Sequence, residues 1–254
     1  MNLKPPANAF VFVSCGLVQG YENRKCVFCG AELGVTAAAA RRLNLDVMFP
    51  RKGQSLGSIM NFPAAIESFV EFARRNDLEI YNESALQFEL SFYLREALGK
   101  DCKIQLERNI SYLSLRTDLV KKEIDILVFS DIVSLSDVIV VELKAIIDQK
   151  IARPISVFNW ITDMKFLEQL KSAGVGNCYS LFVTDNEKLL SEATISKSNT
   201  TLRLLPDFRK RKIHGTYSTH STPTKKIKII SLDSEYTFQW KKFVNGQRYF
   251  LIEV

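Results

Sequence analysis

The residues in this chain best placed to do chemistry stand in the run Val140-Val141-Glu142-Leu143-Lys144. Successive side chains of a strand point to opposite faces, so Glu142 and Lys144 share one face and Leu143 takes the other. Apolar sequence encloses them, Val138–Val141 before and Ala145–Ile147 after. A carboxylate and an ammonium in such a setting are costly to bury unless they are paired or bind a metal. A second carboxylate, Asp125, lies sixteen intervening residues upstream in Lys122-Glu123-Ile124-Asp125-Ile126-Leu127-Val128. A hairpin between the two strands would bring it beside Glu142. Two carboxylates and a lysine suit phosphodiester hydrolysis. Asp125 and Glu142 would hold Mg2+, with Mn2+ as a substitute, because hard ions prefer oxygen; the Leu143 carbonyl would be a further ligand. The ion would polarise a phosphoryl oxygen and activate a water. Lys144 would orient that water or stabilise the growing negative charge. A bare Glu-x-Lys is common and usually marks a pair at an exposed strand end; Asp125, on an apolar strand of its own, shifts the balance.

The elements that must position these groups can be read around them. Helices are expected over Gly34–Asn44 and Phe62–Arg75, and a third over Glu83–Leu98 with Asn82 as its N-cap and Gly99 as its stop. In the third, Leu86, Leu90, Leu94 and Leu98 repeat at helical spacing, and Glu89 sits beside that stripe. Lys103–Leu115, Glu123–Phe129 and Val138–Ile146 read as strands, the last so continuously apolar that it is central. Ser156–Ala173 is a helix stopped at Gly174, and Cys178–Val183 a further strand. Lys226–Leu232, Tyr236–Trp240 and Tyr249–Val254 suggest short antiparallel strands beyond a Ser/Thr-rich loop at Ser218–Thr224. The expected fold class is α/β, a central mixed β-sheet flanked by helices with N- and C-terminal additions. The expected division is an N-terminal region over residues 1–76, a core over 77–205 and a basic C-terminal β extension over 206–254.

In that order (helix with Glu, strand with Asp, strand with Glu-x-Lys, helix, strand) the chain resembles the PD-(D/E)XK, or restriction-endonuclease-like, nuclease superfamily. The resemblance covers Asn82 to about Asn186. It implies that Glu89 is the helical glutamate that helps place the metal, that Asp125 is the motif aspartate, and that Glu142-Leu143-Lys144 are (D/E)XK. Ile124 stands where the name-giving proline would be. Lys165 and Gln169, four apart on the following helix, share a face that would reach the active centre or the substrate. The stretches Phe88–Arg95, Lys121–Asp125, Phe166–Lys171 and Arg248–Val254 look like uncharacterised prokaryotic members. The implied function is a metal-dependent endonuclease cutting DNA, double-stranded in the first instance, of restriction, defence or repair type. A non-catalytic nucleic-acid-binding module on the same fold and an RNase are the alternatives. Cutting both strands of a duplex would suit a homodimer.

Weaker signals surround this core. The chain carries 34 Lys and Arg against 28 Asp and Glu. From Arg203 onward the balance is eleven to four, elsewhere 23 to 24, so the basic excess lies wholly in the last fifth. Such a bias favours a polyanion partner. Arg209, Lys210, Arg211, Lys212, Lys225 and Lys226 would grip phosphates, or form a plain solvated surface. Tyr217, Tyr236, Phe238 and Trp240 would stack on bases or, for the last two above all, pack in the core. Cys26-Val27-Phe28-Cys29, with Cys15 eleven residues earlier, looks like part of a zinc knuckle, but a structural Zn2+ site wants a fourth ligand. Buried thiols or a turn are the other reading. With only His214 and His220 present, histidine-based hydrolysis is disfavoured. Nothing approaches the ~18 apolar residues of a membrane span. The apolar stretch Ala9–Val18 lacks the cleavage site of a signal sequence, so the expected location is cytoplasmic.

Overall fold

The first described helix, α1 (Phe62–Arg75), begins where Asn61 accepts the Ala64 N–H and Pro63 falls in the first turn, a start that needs neither missing donor nor strained φ. The computed structural model describes residues 61–98, 102–115, 118–130, 134–147, 154–190, 206, 208–218 and 227–254. α1 buries Phe62, Ala65, Ile66, Phe69, Val70 and Ala73 along one side. α2 (Glu83–Leu98) starts as expected at Asn82, whose side chain accepts the Ala85 N–H at 2.7 Å.

Among the described residues eight strands follow: β1 (Lys103–Asn109), β2 (Glu123–Phe129), β3 (Ile139–Ile146), β4 (Asn177–Thr184), β5 (Lys212–Ser218), β6 (Ile229–Thr237), β7 (Lys241–Lys242) and β8 (Arg248–Glu253). Six of them form one mixed sheet in the order β1-β2-β3-β4-β8-β7. Only β3 and β4 run parallel. Such a pair needs a long crossover, supplied here by α3 (Pro154–Ser172). Gly174, at φ +98°, ends that helix while the Val175 N–H reaches back to the Leu170 carbonyl, a glycine-dependent cap.

β3 and β4 are buried on both faces, which is why their sequences are largely apolar, with Glu142 and Lys144 as the charged exceptions in β3. On one face Ile126, Val128, Val141, Leu143, Tyr179 and Leu181 meet α1 and α2. On the other, Leu127, Val140, Cys178 and Phe182 meet α3 and the β5–β6 hairpin. The chain is thus α/β, a six-stranded mixed sheet between helices, as the sequence leads one to expect.

The ends depart from expectation. The boundary at residue 76 would cut α1 from the sheet it covers: Phe62 stacks on Tyr179 at 4.7 Å, and Glu67 accepts from Tyr249 Oη at 2.7 Å. That at 206 would cut β7 and β8 from the sheet to which they belong. Lys103–Leu115 is a strand only to Asn109, after which Ile110–Leu113 turn as a 3-10 helix. The two strands expected over Lys226–Leu232 and Tyr236–Trp240 are one, β6. Phe238 and Tyr217 are buried, and Phe238 stacks on Phe250 at 4.1 Å. These aromatics build core rather than a base-stacking surface. The expected helix over Gly34–Asn44 and the stretch Ala9–Val18 lie outside the described residues. No helix among the described residues is long and apolar enough to cross a membrane.

Candidate active site

The site lies where β2 and β3 part. Their ladder runs Val128↔Ile139, Leu127↔Val140, Ile126↔Val141 and stops there; the next residues in register are Asp125 and Glu142. The inward N–H groups of β3 beyond that point still need acceptors, and carboxylates provide them. Asp125 Oδ2 accepts from Leu143 N at 2.7 Å, and Glu83 Oε2, from the first turn of α2, accepts from Ala145 N at 3.2 Å. Leu143 therefore enters the site through its main chain, its side chain being turned to the α1–α2 layer. Asp125 N in turn approaches Glu142 Oε1 at 3.4 Å.

Asp125 and Glu142 both project toward α3. Between them stands the ammonium of Lys121, 2.8 Å from Asp125 Oδ1, paired with Glu142 Oε2, and 3.5 Å from Asp163 Oδ1 of α3. Lys144, on the same face of β3 as Glu142, pairs with Glu83 Oε2 at 2.8 Å. Among the described residues four carboxyl groups thus share two ammoniums, and Glu142 has no exposed surface. The imbalance is visible in their proton affinities. Burial, then the neighbouring Asp125, raises Glu142 well above the usual carboxylate range. Burial likewise pushes Asp163 up to about 7 against the pull of Lys121 and Lys144. For Lys121, burial alone would favour the neutral amine, but Glu142, Asp163 and Asp125 outweigh it and hold the proton more tightly than usual. Lys144 follows the same pattern, with Glu83 as its main partner.

Comparison with known proteins gives no matching family model, no curated relative and no matching solved structure.

Of the residues expected at the site, Asp125 and Glu142 meet and Lys144 stands beside them. Glu89 does not join them. The glutamate of α2 at the cluster is Glu83, and six residues further on Glu89 is rotated about 240° around the helix. Glu89 is half-buried, and burial raises its carboxyl above the usual value. Lys165 is also turned elsewhere: it pairs with Glu168 at 3.1 Å and with Asp233 of β6 at 2.6 Å. Gln169 reaches the site indirectly, accepting from Val120 N at 2.9 Å beside Lys121. Lys210 and Arg211 are exposed, and Lys212 makes a solvent-exposed pair with Glu235 at 2.6 Å. The Arg209 side chain, Lys225, Lys226, Cys15, Cys26 and Cys29 lie outside the described residues. Among the described residues no three His, Cys, Asp or Glu side chains form a ready-made metal cage.

Besides Glu83, three contributors had not been expected from the sequence. Lys121 sits in an irregular segment, and only its spacing of four from Asp125 hints at it. Asp163 had a clearer signal, an acid in a helix where Trp160, Ile161, Met164, Phe166 and Leu167 are all buried. Gln87, one turn after Glu83, donates to the Asp125 carbonyl at 2.9 Å and to Glu107 at 2.7 Å, fixing the aspartate's backbone.

Proposed function

We propose that this chain is a metal-dependent nuclease of the PD-(D/E)XK type, hydrolysing phosphodiester bonds in DNA. The observation that carries the reading is the pair of carboxylates, from adjacent strands, against one cationic point with a lysine two residues along the same strand face. The donor set is all oxygen, and two of its carboxyls are already drawn around a positive charge, so the residues fit a hard divalent ion held by Asp125 and Glu142. When bound, Mg2+ would supply Lewis-acid stabilisation of the phosphoryl oxygens.

The chain's own residues do the rest. Leu143 N and Gln87 fix Asp125 by its carboxylate and its carbonyl, so its second oxygen keeps one direction. Glu83 holds Lys144 as an ammonium on the Glu142 face of β3. There Lys144 would orient the attacking water and stabilise charge on the phosphate. Burial of Glu142 and Asp163 removes competing water and strengthens each electrostatic contact.

Labelled single- and double-stranded DNA and RNA, incubated with purified protein in Mg2+ or in EDTA, test this directly. Cutting of DNA in Mg2+ alone is expected. Lys144→Ala should lower the rate at least about 100-fold, the scale of one lost transition-state donor, and leave binding nearly intact. Undiminished cutting by that variant would defeat the mechanism. One observation favours a second reading, a non-catalytic nucleic-acid-binding module: Lys121 already neutralises part of the cluster, as in a structural ion-pair network. DNA retention without cutting in any divalent ion would select it.

A further inference from the structure

Lys121 stands out because it occupies the point toward which the site's carboxylates converge. Its backbone is fastened on both sides: Val120 N donates to Gln169, and the Lys122 carbonyl accepts from Ile110 N at 2.9 Å. Its side chain, though paired with three carboxylates, is not fully enclosed. About a quarter of it (26%) remains exposed, against 0% for Glu142 and 11% for Asp125 and Asp163. The four-carbon stem can therefore withdraw the ammonium toward solvent while its backbone anchors stay fixed.

A divalent ion and an ammonium cannot share the gap between Asp125 and Glu142, since like charges repel strongly where water is excluded. We infer that Lys121 sets the cation affinity of this site by holding the place of the divalent ion between Asp125 and Glu142, so that the ion enters only as the ammonium leaves. The inference rests on the metal-dependent reading above and adds a residue that governs it. It also accounts for how two buried carboxylates sit together within the fold: Lys121 offsets part of their charge. A competitor of this kind lowers apparent affinity by the fraction of time it leaves the site open. A lysine that merely lay near the site would also ease cation entry when removed, but the ion would not drive it out, so its own exposure would not change with metal.

The test is a Mn2+ titration of the full chain after removal of metal with EDTA, following free Mn2+ by electron paramagnetic resonance. Lys121→Met keeps the apolar stem and removes the charge. It should bind Mn2+ at least about tenfold more tightly than the wild type, as expected if the ammonium fills the site nine-tenths of the time. Equal or weaker binding by the variant overturns the inference and leaves the metal-dependent reading standing, because both proteins bind. Absence of Mn2+ binding by both proteins overturns the two together. Should the variant not fold, the wild type gives its own answer. Reductive methylation mapped by mass spectrometry should label Lys121 slowly in EDTA and faster in Mg2+. Labelling of Lys121 that Mg2+ leaves unchanged or slows would likewise overturn the inference.

Discussion

Helix α3 carries two buried carboxylates five residues apart, Asp163 and Glu168, and they sit in opposite kinds of surroundings. Glu168 is surrounded by donors: Asp233 N at 2.9 Å, Ser234 N at 2.9 Å, Tyr236 Oη at 3.0 Å and Lys165 Nζ at 3.1 Å. One carboxylate faces four partners, so its charge is met within the fold, and its work is to tie the β5–β6 hairpin to α3. Asp163 faces Lys121 at 3.5 Å, an ammonium that Asp125 and Glu142 also claim. Here, among the described residues, acceptors outnumber donors. A buried acid with all its partners is a structural tie, whereas a group of acids short of positive charge has capacity left for a ligand cation.

Exchanging the two kinds of acid for their amides should break this contrast most sharply. Glu142→Gln is expected to lower Mn2+ affinity and DNA cutting at least about 100-fold, because the ion's share of transition-state charge is worth several kcal/mol, while costing little stability. Glu168→Gln should do the reverse: cutting survives, and denaturant unfolding reports a loss of about 2–4 kcal/mol from an unpaired buried network. A Glu168→Gln protein that is as stable as wild type yet inactive would erase the distinction. A smaller effect is expected at the start of α2, where Asn82 caps the turn that presents Glu83. Asn82→Ala should cost about 1 kcal/mol in chemical denaturation. If it costs nothing, the ion pair of Glu83 with Lys144, rather than the cap, fixes that turn.

The smallest expected effect sharpens the Glu168 side alone. Burial, then Glu168, pushes the Tyr236 hydroxyl above its ordinary value of 10.0. The folded state therefore keeps a proton that the unfolded chain gives up, and stability conferred by this hydroxyl is present below pH 10 and falls as pH rises beyond it. Tyr236→Phe should make the alkaline decline in melting temperature shallower. An unchanged slope would show that other groups dominate it.

Much of this architecture was legible in the residues. The unbroken apolar run around Val140 announced a central strand, Asn82 announced the start of α2, and Gly174 the end of α3, because each signal is local. The Asp125–Glu142 pair was legible for a similar reason: two carboxylates on apolar strands have few affordable environments. The place of Glu89 apart from the cluster was not legible, because helical spacing says which residues share a face but not which end of the helix meets the sheet. The pairing of Lys165 was not legible either, because its neighbour across space, Asp233, is 68 residues away in sequence.

By itself the sequence determined the alternation of helices and strands, the buried centre of the sheet and the presence of unlike charges within it. These follow from side-chain period, cap chemistry and the cost of burying charge, all properties of short segments. Only the tertiary structure decided that β2 and β3 separate at Asp125 and Glu142, that Asp163 and Lys121 arrive there from a helix and an irregular segment, and that β7 and β8 complete the same sheet. Those contacts join distant parts of the chain, and which charge lies against which depends on how the layers pack.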